Sequence, residues 1–155
     1  IINNNIELIK PIALRKNIKI DFKFDSQDKY TLEGDKVLIN LALSNLISNA
    51  IKYTNNDGLL IINLINSSEL VEIEISDNGI GIPKLDQSNI FKEFYRASNL
   101  ADKNIEGTGT GLSAVKQIIE MHKGNIKLES PSNIGSKNRP GTSFFIKIPI
   151  NSAGN

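Results

Sequence analysis

Apolar and polar positions recur with two distinct periods along the chain. From Glu7 to Lys16 the apolar residues Ile9, Ile12 and Ala13, with Ile6 just ahead, fall at helical spacing, and Pro11 marks an interruption or a kink. Ile18, Ile20, Phe22 and Phe24 then alternate with Lys19, Asp21 and Lys23, which predicts a half-buried strand. Tyr30–Glu33 has the length of a short second strand. Asp35 is placed to cap a long helix running to about Tyr53. After the turn string Asn55-Asn56-Asp57-Gly58, Leu59–Ile65 and Leu70–Ser76 read as paired strands around Asn66-Ser67-Ser68. The stretch from about Lys84 to Glu106 is polar and weakly periodic, with one short helix near Ser88–Tyr95; segments of that kind are usually functional or mobile. Gly111–Lys123 predicts a helix ended by Gly124 at C′, Ile126 and Leu128 a strand, and Ser143–Ile150 the last strand. Helices and hairpins in this order predict an α+β chain, a two-layer α/β sandwich rather than a doubly wound sheet.

The totals narrow the partners. At 155 residues the chain fits a single domain spanning 1–155, large enough to bury a core without staples. Eighteen basic against 17 acidic side chains give a net charge of +1, so no electrostatic footprint for nucleic acid is expected. The absence of cysteine excludes disulfides and thiolate chemistry, and the single histidine cannot build a histidine-based metal cluster. No apolar run reaches the roughly 18–20 residues of a membrane span, and the amino terminus does not read as a signal peptide. The heavy use of Asn, Ile and Lys is the compositional signature expected of an AT-rich genome.

Two glycine-rich strings carry the chemistry. Asp77-Asn78-Gly79-Ile80-Gly81-Ile82-Pro83 follows a strand pattern and brings an acid. Gly107-Thr108-Gly109-Thr110-Gly111-Leu112 opens a helix pattern, where backbone N–H groups and the helix N-terminus favour phosphate. A purine at the first loop and its phosphates at the second is the direct reading. The long helix adds two asparagines, Asn45 and Asn49, on the stripe 38, 41, 42, 45, 46, 49, 50 and 53. They are either satisfied core amides or, for an amide oxygen beside phosphates, part of a Mg²⁺ shell. Asp77 is either a turn aspartate before Asn-Gly or an acceptor for the exocyclic amine of adenine. A Walker A string is missing, since Gly135-Ser136-Lys137 has the wrong order, and neither loop has dinucleotide-fold spacing.

In this order the motifs resemble those of the GHKL ATP-binding domains, in the form used by sensor histidine kinases. Asn45–Tyr53 is similar to the N box, Asp77–Pro83 to the first glycine box, and Phe91-Lys92-Glu93-Phe94-Tyr95-Arg96 to the F box. Gly107–Leu112 is similar to the second glycine box and Gly141-Thr142-Ser143-Phe144 to the small third one. The likeness covers essentially the whole chain. It implies a mixed, mainly antiparallel sheet covered on one face by helices, with a mobile ATP lid at about 84–106.

The resemblance also implies roles. Asn49 would bind Mg²⁺ and phosphate with Asn45 in support, Lys52 would reach the phosphates, and Tyr53 would lie against base or ribose. Asp77 would hold the adenine amine, with Gly79, Gly81 and Ile82 giving the base close access. Gly107, Thr108, Gly109, Thr110, Gly111 and Leu112 would turn at the phosphates, and Thr142 would join the nucleotide site from the third box. Phe91 and Phe94 would pack the lid down, and Arg96 would meet phosphate or a partner domain. The second box usually carries Leu where this chain has Thr110, whose hydroxyl would either donate to phosphate or loosen a packing contact.

Related ATPases such as DNA gyrase and MutL, and the anti-sigma serine kinases, carry a glutamate base where this chain has Asn45. An amide cannot take that proton, which argues against self-contained hydrolysis. The resemblance therefore implies a histidine kinase catalytic domain, with ATP and Mg²⁺ as cofactors, donating the γ-phosphate to a histidine. Its only histidine, His122, reads as a packing or helix-terminal residue, where positive charge would be mildly favourable. The phosphoacceptor and dimerisation helices are accordingly expected outside this chain, in a full-length homodimer acting on a downstream response regulator. The domain is expected to face the cytoplasm without touching membrane, in a sensor that can be membrane-anchored. Arg15, Lys16 and Lys19 read as a solvated basic face rather than a docking site. A GHKL-type ATPase or serine-directed kinase, and a nucleotide-binding scaffold without transfer activity, are the alternatives.

Overall fold

The computed structural model describes residues 1–25, 32–67, 69–101 and 107–150. Its elements in order are α1 (Ile2–Arg15), β1 (Lys19–Phe24), α2 (Lys36–Tyr53), β2 (Leu59–Asn66), β3 (Leu70–Asp77), α3 (Gly111–Met121), β4 (Asn125–Glu129) and β5 (Thr142–Pro149). The five strands form one sheet in the order β1-β2-β3-β5-β4, with β1 parallel to β2 and every other pair antiparallel.

Strand alternation sorts the sheet into two faces. Rows such as Phe22, Ile62, Ile75, Phe144 and Leu128 run across all five strands on one face. That face packs with the helices: Leu46, Ile47 and Ile51 of α2 and Val115 and Ile119 of α3 are fully buried with Leu60, Ile62, Ile75, Ile146 and Ile148. Each such side chain contributes roughly 1.5–3 kcal/mol relative to exposure. The opposite face mixes Ile61, Ile65 and Phe145 with polar pairs, Lys147 on Glu72 at 3.0 Å and Asn63 on Glu74 at 2.7 Å. This is the expected two-layer, mainly antiparallel α+β architecture.

Several local expectations change. α1 starts at Ile2 rather than Glu7, and Pro11 lies within it on the exposed side. The early start follows from Asn5, whose amide is buried and donates to Asn40 Oδ1 at 3.0 Å and to the Ile1 carbonyl at 3.2 Å. Tyr30 and Thr31 of the expected short strand lie outside the described residues, and Leu32 and Glu33 are not in a strand, although Glu33 N–H donates to the Ile150 carbonyl at 3.1 Å.

No helix forms over Ser88–Tyr95. Residues 83–95 run instead through successive turns, in which the N–H groups of Asp86, Asn89, Lys92 and Tyr95 each bond a carbonyl three residues back. A short 3₁₀ turn at Ser98–Leu100 follows, and residues 102–106 of the expected 84–106 lid lie outside the described residues.

α3 ends at Met121, and its left-handed residue is Lys123 (φ 56°), not Gly124. Lys123 N–H bonds the Glu120 carbonyl at 2.9 Å and Gly124 N–H the Ile119 carbonyl at 2.9 Å, a Schellman closure with Gly124 at C″. Glycine is required there for closeness, since a Cβ would sit 2.5 Å from the Lys147 carbonyl oxygen.

α2 begins as expected: Asp35 Oδ1 accepts from Val37 N–H at 2.8 Å and Leu38 N–H at 3.1 Å. Its core stripe is shifted, however. The buried set is Ile39, Ala42, Leu43, Leu46, Ile47, Ala50 and Ile51, while Leu41 is 47% exposed. Asn45 and Asn49 are therefore not core amides; both are half-buried at the edge of the packed face.

Candidate functional site

That edge of α2 forms one wall of a cavity of about 220 Å³. The other walls are the end of β3 with its glycine loop, the 82–100 segment, the 107–112 loop and the start of β5. Of the residues expected in the site, Asn45, Asn49, Lys52, Tyr53, Asp77, Gly81, Ile82, Arg96, Gly107, Thr108, Gly109, Gly111, Leu112 and Thr142 line this cavity, while Gly79 and Thr110 do not.

Asp77 ends β3 in register with Leu60 on one side and Thr142 on the other, so its side chain leaves the sheet on the helix-covered face. It is 5% exposed, and its Oδ1 accepts from Gly79 N–H at 2.8 Å. Burial pushes its pKa up to about 6, opposed by the backbone N–H groups of Gly79 and Thr142. A carboxylate has more acceptor positions than two N–H groups consume, so Asp77 can still accept from a ligand.

Gly79 serves a different purpose from base access. The first glycine loop crosses the end of α2, with Ile80 N–H donating to the Tyr53 carbonyl at 3.1 Å; a Cβ on Gly79 would lie 2.3 Å from that oxygen. Gly81 adopts φ +68° and faces the cavity. The acid and the two last residues of α2 are thereby locked together through one carbonyl.

At the second loop, a Cβ on Gly111 would stand 2.9 Å from Asn45 Oδ1, so α3 begins directly against α2. Asn45 spends its amide N–H on the Leu41 carbonyl at 3.0 Å. Lys52 Nζ comes within 3.0 Å of an ideal Cβ on Gly107 and lies 5.1 Å from the Tyr53 ring centroid. Thr110 starts α3 without a side-chain cap, and its hydroxyl pairs with that of Thr108 at 2.7 Å. The hydroxyl thus reaches the cavity only through Thr108.

Sequence reasoning missed the apolar lining from Ala50, Ile80, Ile90, Leu100 and Phe144, together with Tyr95, Ala97 and Asn99. Phe144 and Ala50 lay on recognised core patterns, whereas Asn99, whose amide donates to the Gly81 carbonyl at 3.0 Å, had no pattern to betray it. Asp86 is also buried, accepting from Tyr95 and Ser98.

His122 is buried and fully used. Asp35 N–H donates to Nε2 at 3.0 Å, so Nδ1 carries the proton that faces the Ile118 carbonyl at 2.7 Å. The ring is the neutral tautomer, which replaces the expectation of a favourable positive charge at this helix end.

Among the described residues no three His, Cys, Asp or Glu side chains converge on a metal site, and no helix is long and apolar enough to cross a membrane. The cavity thus offers amide oxygens, one buried carboxylate, a lysine and a glycine-rich N-terminal turn, a donor set suited to a polyphosphate nucleotide rather than to a metal cluster.

Known proteins resemble this chain in sequence and in fold. The chain is 35% identical over 133 residues to the sensor-like histidine kinase SenX3 of Mycolicibacterium smegmatis, a match covering 86% of this chain and 33% of that protein. It therefore spans about a third of that relative's length. The catalytic domain of histidine kinase ThkA, in a nucleotide-free form, superposes with a TM-score of 0.80 at 29% identity, covering 96% of this chain and 91% of that one. ThkA in complex with the response regulator protein TrrA matches with a TM-score of 0.75 at 27% identity, covering 97% of this chain and 40% of that one. Residues 34–152 match the family described as histidine kinase-, DNA gyrase B-, and HSP90-like ATPases, and the chain belongs to that family.

Proposed function

We propose that this chain is the ATP-binding catalytic domain of a two-component sensor histidine kinase. The observation that carries the reading is a single cavity joining a buried acid, Asp77, to Asn49, Lys52 and the Gly107–Gly111 loop. Asp77 accepts the exocyclic amine of adenine, Tyr53 and Ile82 flank the base or ribose, and Lys52, with Arg96 from the lid, meets the phosphates. The N–H groups of the 107–112 loop and the start of α3 bind phosphate oxygens. Residues 84–106 act as the ATP lid.

Mg²⁺ fits the donor set, because it keeps waters and takes few protein ligands beside phosphate oxygens. Asn49 would hold it, with Asn45 in support, and when bound it would neutralise charge on the phosphates. The chain's own residues orient the triphosphate, supply positive charge through Lys52, and exclude water with the apolar lining. A histidine nitrogen on a separate helical domain attacks the γ-phosphorus. The N–P bond forms as the bond to the β–γ bridging oxygen breaks, and ADP leaves with that electron pair.

Asn45 supports transfer over hydrolysis, since an amide cannot act as general base for water. The buried, doubly bonded His122 supports an acceptor elsewhere. The ThkA–TrrA complex supports a response regulator as the downstream partner. The proposed whole protein is a homodimer whose catalytic domain faces the cytoplasm.

Calorimetry with ATP and a transfer assay with γ-labelled ATP test this. The chain should bind ATP, stay unlabelled alone, and label a supplied helical domain bearing its cognate histidine. Asp77→Asn should abolish binding while leaving the circular dichroism unchanged. Rapid hydrolysis by the chain alone would favour the ATPase reading.

A further inference from the structure

The last turn of α2 carries Lys52 and Tyr53. The Ala50 carbonyl is the last to receive the regular helical bond, from the C-cap Thr54 N–H at 3.1 Å, and the four carbonyls after it have no partner within the helix. Of these, the Tyr53 carbonyl accepts from Ile80 N–H in the first glycine loop. The remaining three all accept from one ammonium: Lys16 Nζ lies 2.8 Å from the Ile51 carbonyl, 3.0 Å from that of Lys52 and 2.7 Å from that of Thr54.

Lys16 is thus not part of a solvated basic face. It follows α1 directly, is half-buried, and its burial lowers its pKa below the usual lysine value. Its backbone is tied to the same place, since Asp57 N–H donates to the Lys16 carbonyl at 2.9 Å. Neighbouring Asn17 adds a side-chain bond to Asp57 Oδ1 at 2.6 Å, and Arg139 donates to the Asp57 carbonyl at 2.9 Å. The exit from α1 and the exit from α2 form one knot.

We infer that Lys16 is a positioning residue for nucleotide binding, capping the turn that aims Lys52 and Tyr53 and so joining α1 to the site. The inference rests on reading the cavity as an ATP site. Without the ammonium, three converging carbonyls lose their donor, and the turn frays on the side away from the glycine loop. Lys52 and Tyr53 then lose their fixed place although no residue of the cavity has changed. The vacated carbonyl cluster would also be a binding place for a small cation with several donors, ammonium above all.

The test compares ATP affinity by calorimetry at 10 °C for the unaltered chain, Lys16→Met, Lys16→Ala and Lys19→Met, with far-ultraviolet circular dichroism to confirm folding. The inference expects Lys16→Met to stay folded and bind ATP about tenfold more weakly, a change that loss of global stability alone would not produce in a folded sample. Lys19→Met, an exposed neighbour, should bind as the unaltered chain does. Ammonium chloride should restore affinity to Lys16→Ala, and choline chloride at equal ionic strength should not.

A folded Lys16→Met with affinity within about twofold of the unaltered chain overturns the inference. If the Met variant does not fold, Lys16→Ala decides: ammonium restoring both fold and affinity supports the inference, while ammonium restoring neither, or fold alone, overturns it. Failure of the unaltered chain to bind ATP is a different result: it overturns the ATP reading itself, and the inference falls with it.

Discussion

Asp86 and Tyr95 close the 83–98 segment on itself: the phenol donates to one carboxylate oxygen at 2.5 Å, while the other oxygen accepts from Ser98 N–H at 2.8 Å and Ser98 hydroxyl at 2.7 Å. Between these two anchors lie Arg96 and Ala97, which line the cavity. The bonds from Tyr95 and Ser98 hold the Asp86 carboxyl below its usual pKa, and the same contact raises that of the Tyr95 phenol. Asp86→Asn turns one acceptor oxygen into an amide NH₂, which cannot accept from Tyr95 or Ser98, and Tyr95→Phe removes one bond while keeping the ring. Both should weaken ATP binding, the Asn variant more, by about tenfold. An ultraviolet phenol titration checks the contact independently: the tyrosine that ionises late should ionise earlier in Asp86→Asn.

Asp77 gives the site a pH dependence of opposite sign for stability and for binding. Its pKa is raised from 3.8 unfolded to about 6 folded. The unfolded chain therefore loses this proton first as pH rises. The contribution to stability is complete below about 3.8, declines through the interval, and is gone above about 6. The span corresponds to about 3 kcal/mol. Denaturant unfolding at either end of this interval should show that decline in the parent chain and not in Asp77→Asn. ATP affinity should do the reverse, falling as the pH drops below about 6, because the protonated acid has lost acceptor capacity.

Gly109 and Gly111 separate backbone strain from site crowding. Gly109 has φ +77°, and a Cβ there would lie 2.7 Å from the Phe94 carbonyl carbon and 2.8 Å from the Tyr95 carbonyl oxygen. Phe94 is itself left-handed at φ 61° and 74% exposed, so two left-handed backbones meet where the 83–98 segment crosses the second loop. Gly109→Ala should cost about 1–3 kcal/mol and weaken ATP binding. Gly111→Ala meets only the movable Asn45 amide. It should lose less stability while displacing Asn45, with its effect concentrated in nucleotide affinity. Thermal unfolding and calorimetry on the two variants measure the contrast.

Where local chemistry decides the structure, the chain could be read directly. Asp35 caps its own helix, strand alternation survives in register across the sheet, and the glycine strings lie where a cavity requires them. Where a distant partner decides, local pattern was silent. α2 is so rich in Leu, Ile and Ala that two adjacent stripes both read as apolar, and only the sheet selects Ile39, Leu43 and Ile47 over Leu38 and Leu41. Asn5 enters a helix because Asn40 receives its amide. The 83–95 turns replace a helix where Asp86 draws Tyr95 and Ser98 back upon it. Lys16 looked like surface charge because its three acceptors are more than 30 residues away.

His122 supplies a final test, since it is the only histidine and a phosphoacceptor must be a nucleophile that ATP can reach. Here Nε2 accepts from Asp35 N–H and Nδ1–H faces the Ile118 carbonyl, leaving neither nitrogen available. The ring also fills the space beside Gly34, where a Cβ would come 2.5 Å from its Cδ2. It therefore joins the start of α2 to the end of α3. His122→Ala strands the Asp35 N–H and opens a gap, costing about 2–4 kcal/mol in denaturant unfolding. Transfer of labelled phosphate to a supplied helical domain should persist at temperatures where the variant stays folded. Loss of transfer from a folded His122→Ala, or acid-labile label on the parent chain alone, would instead make His122 a phosphorylated residue.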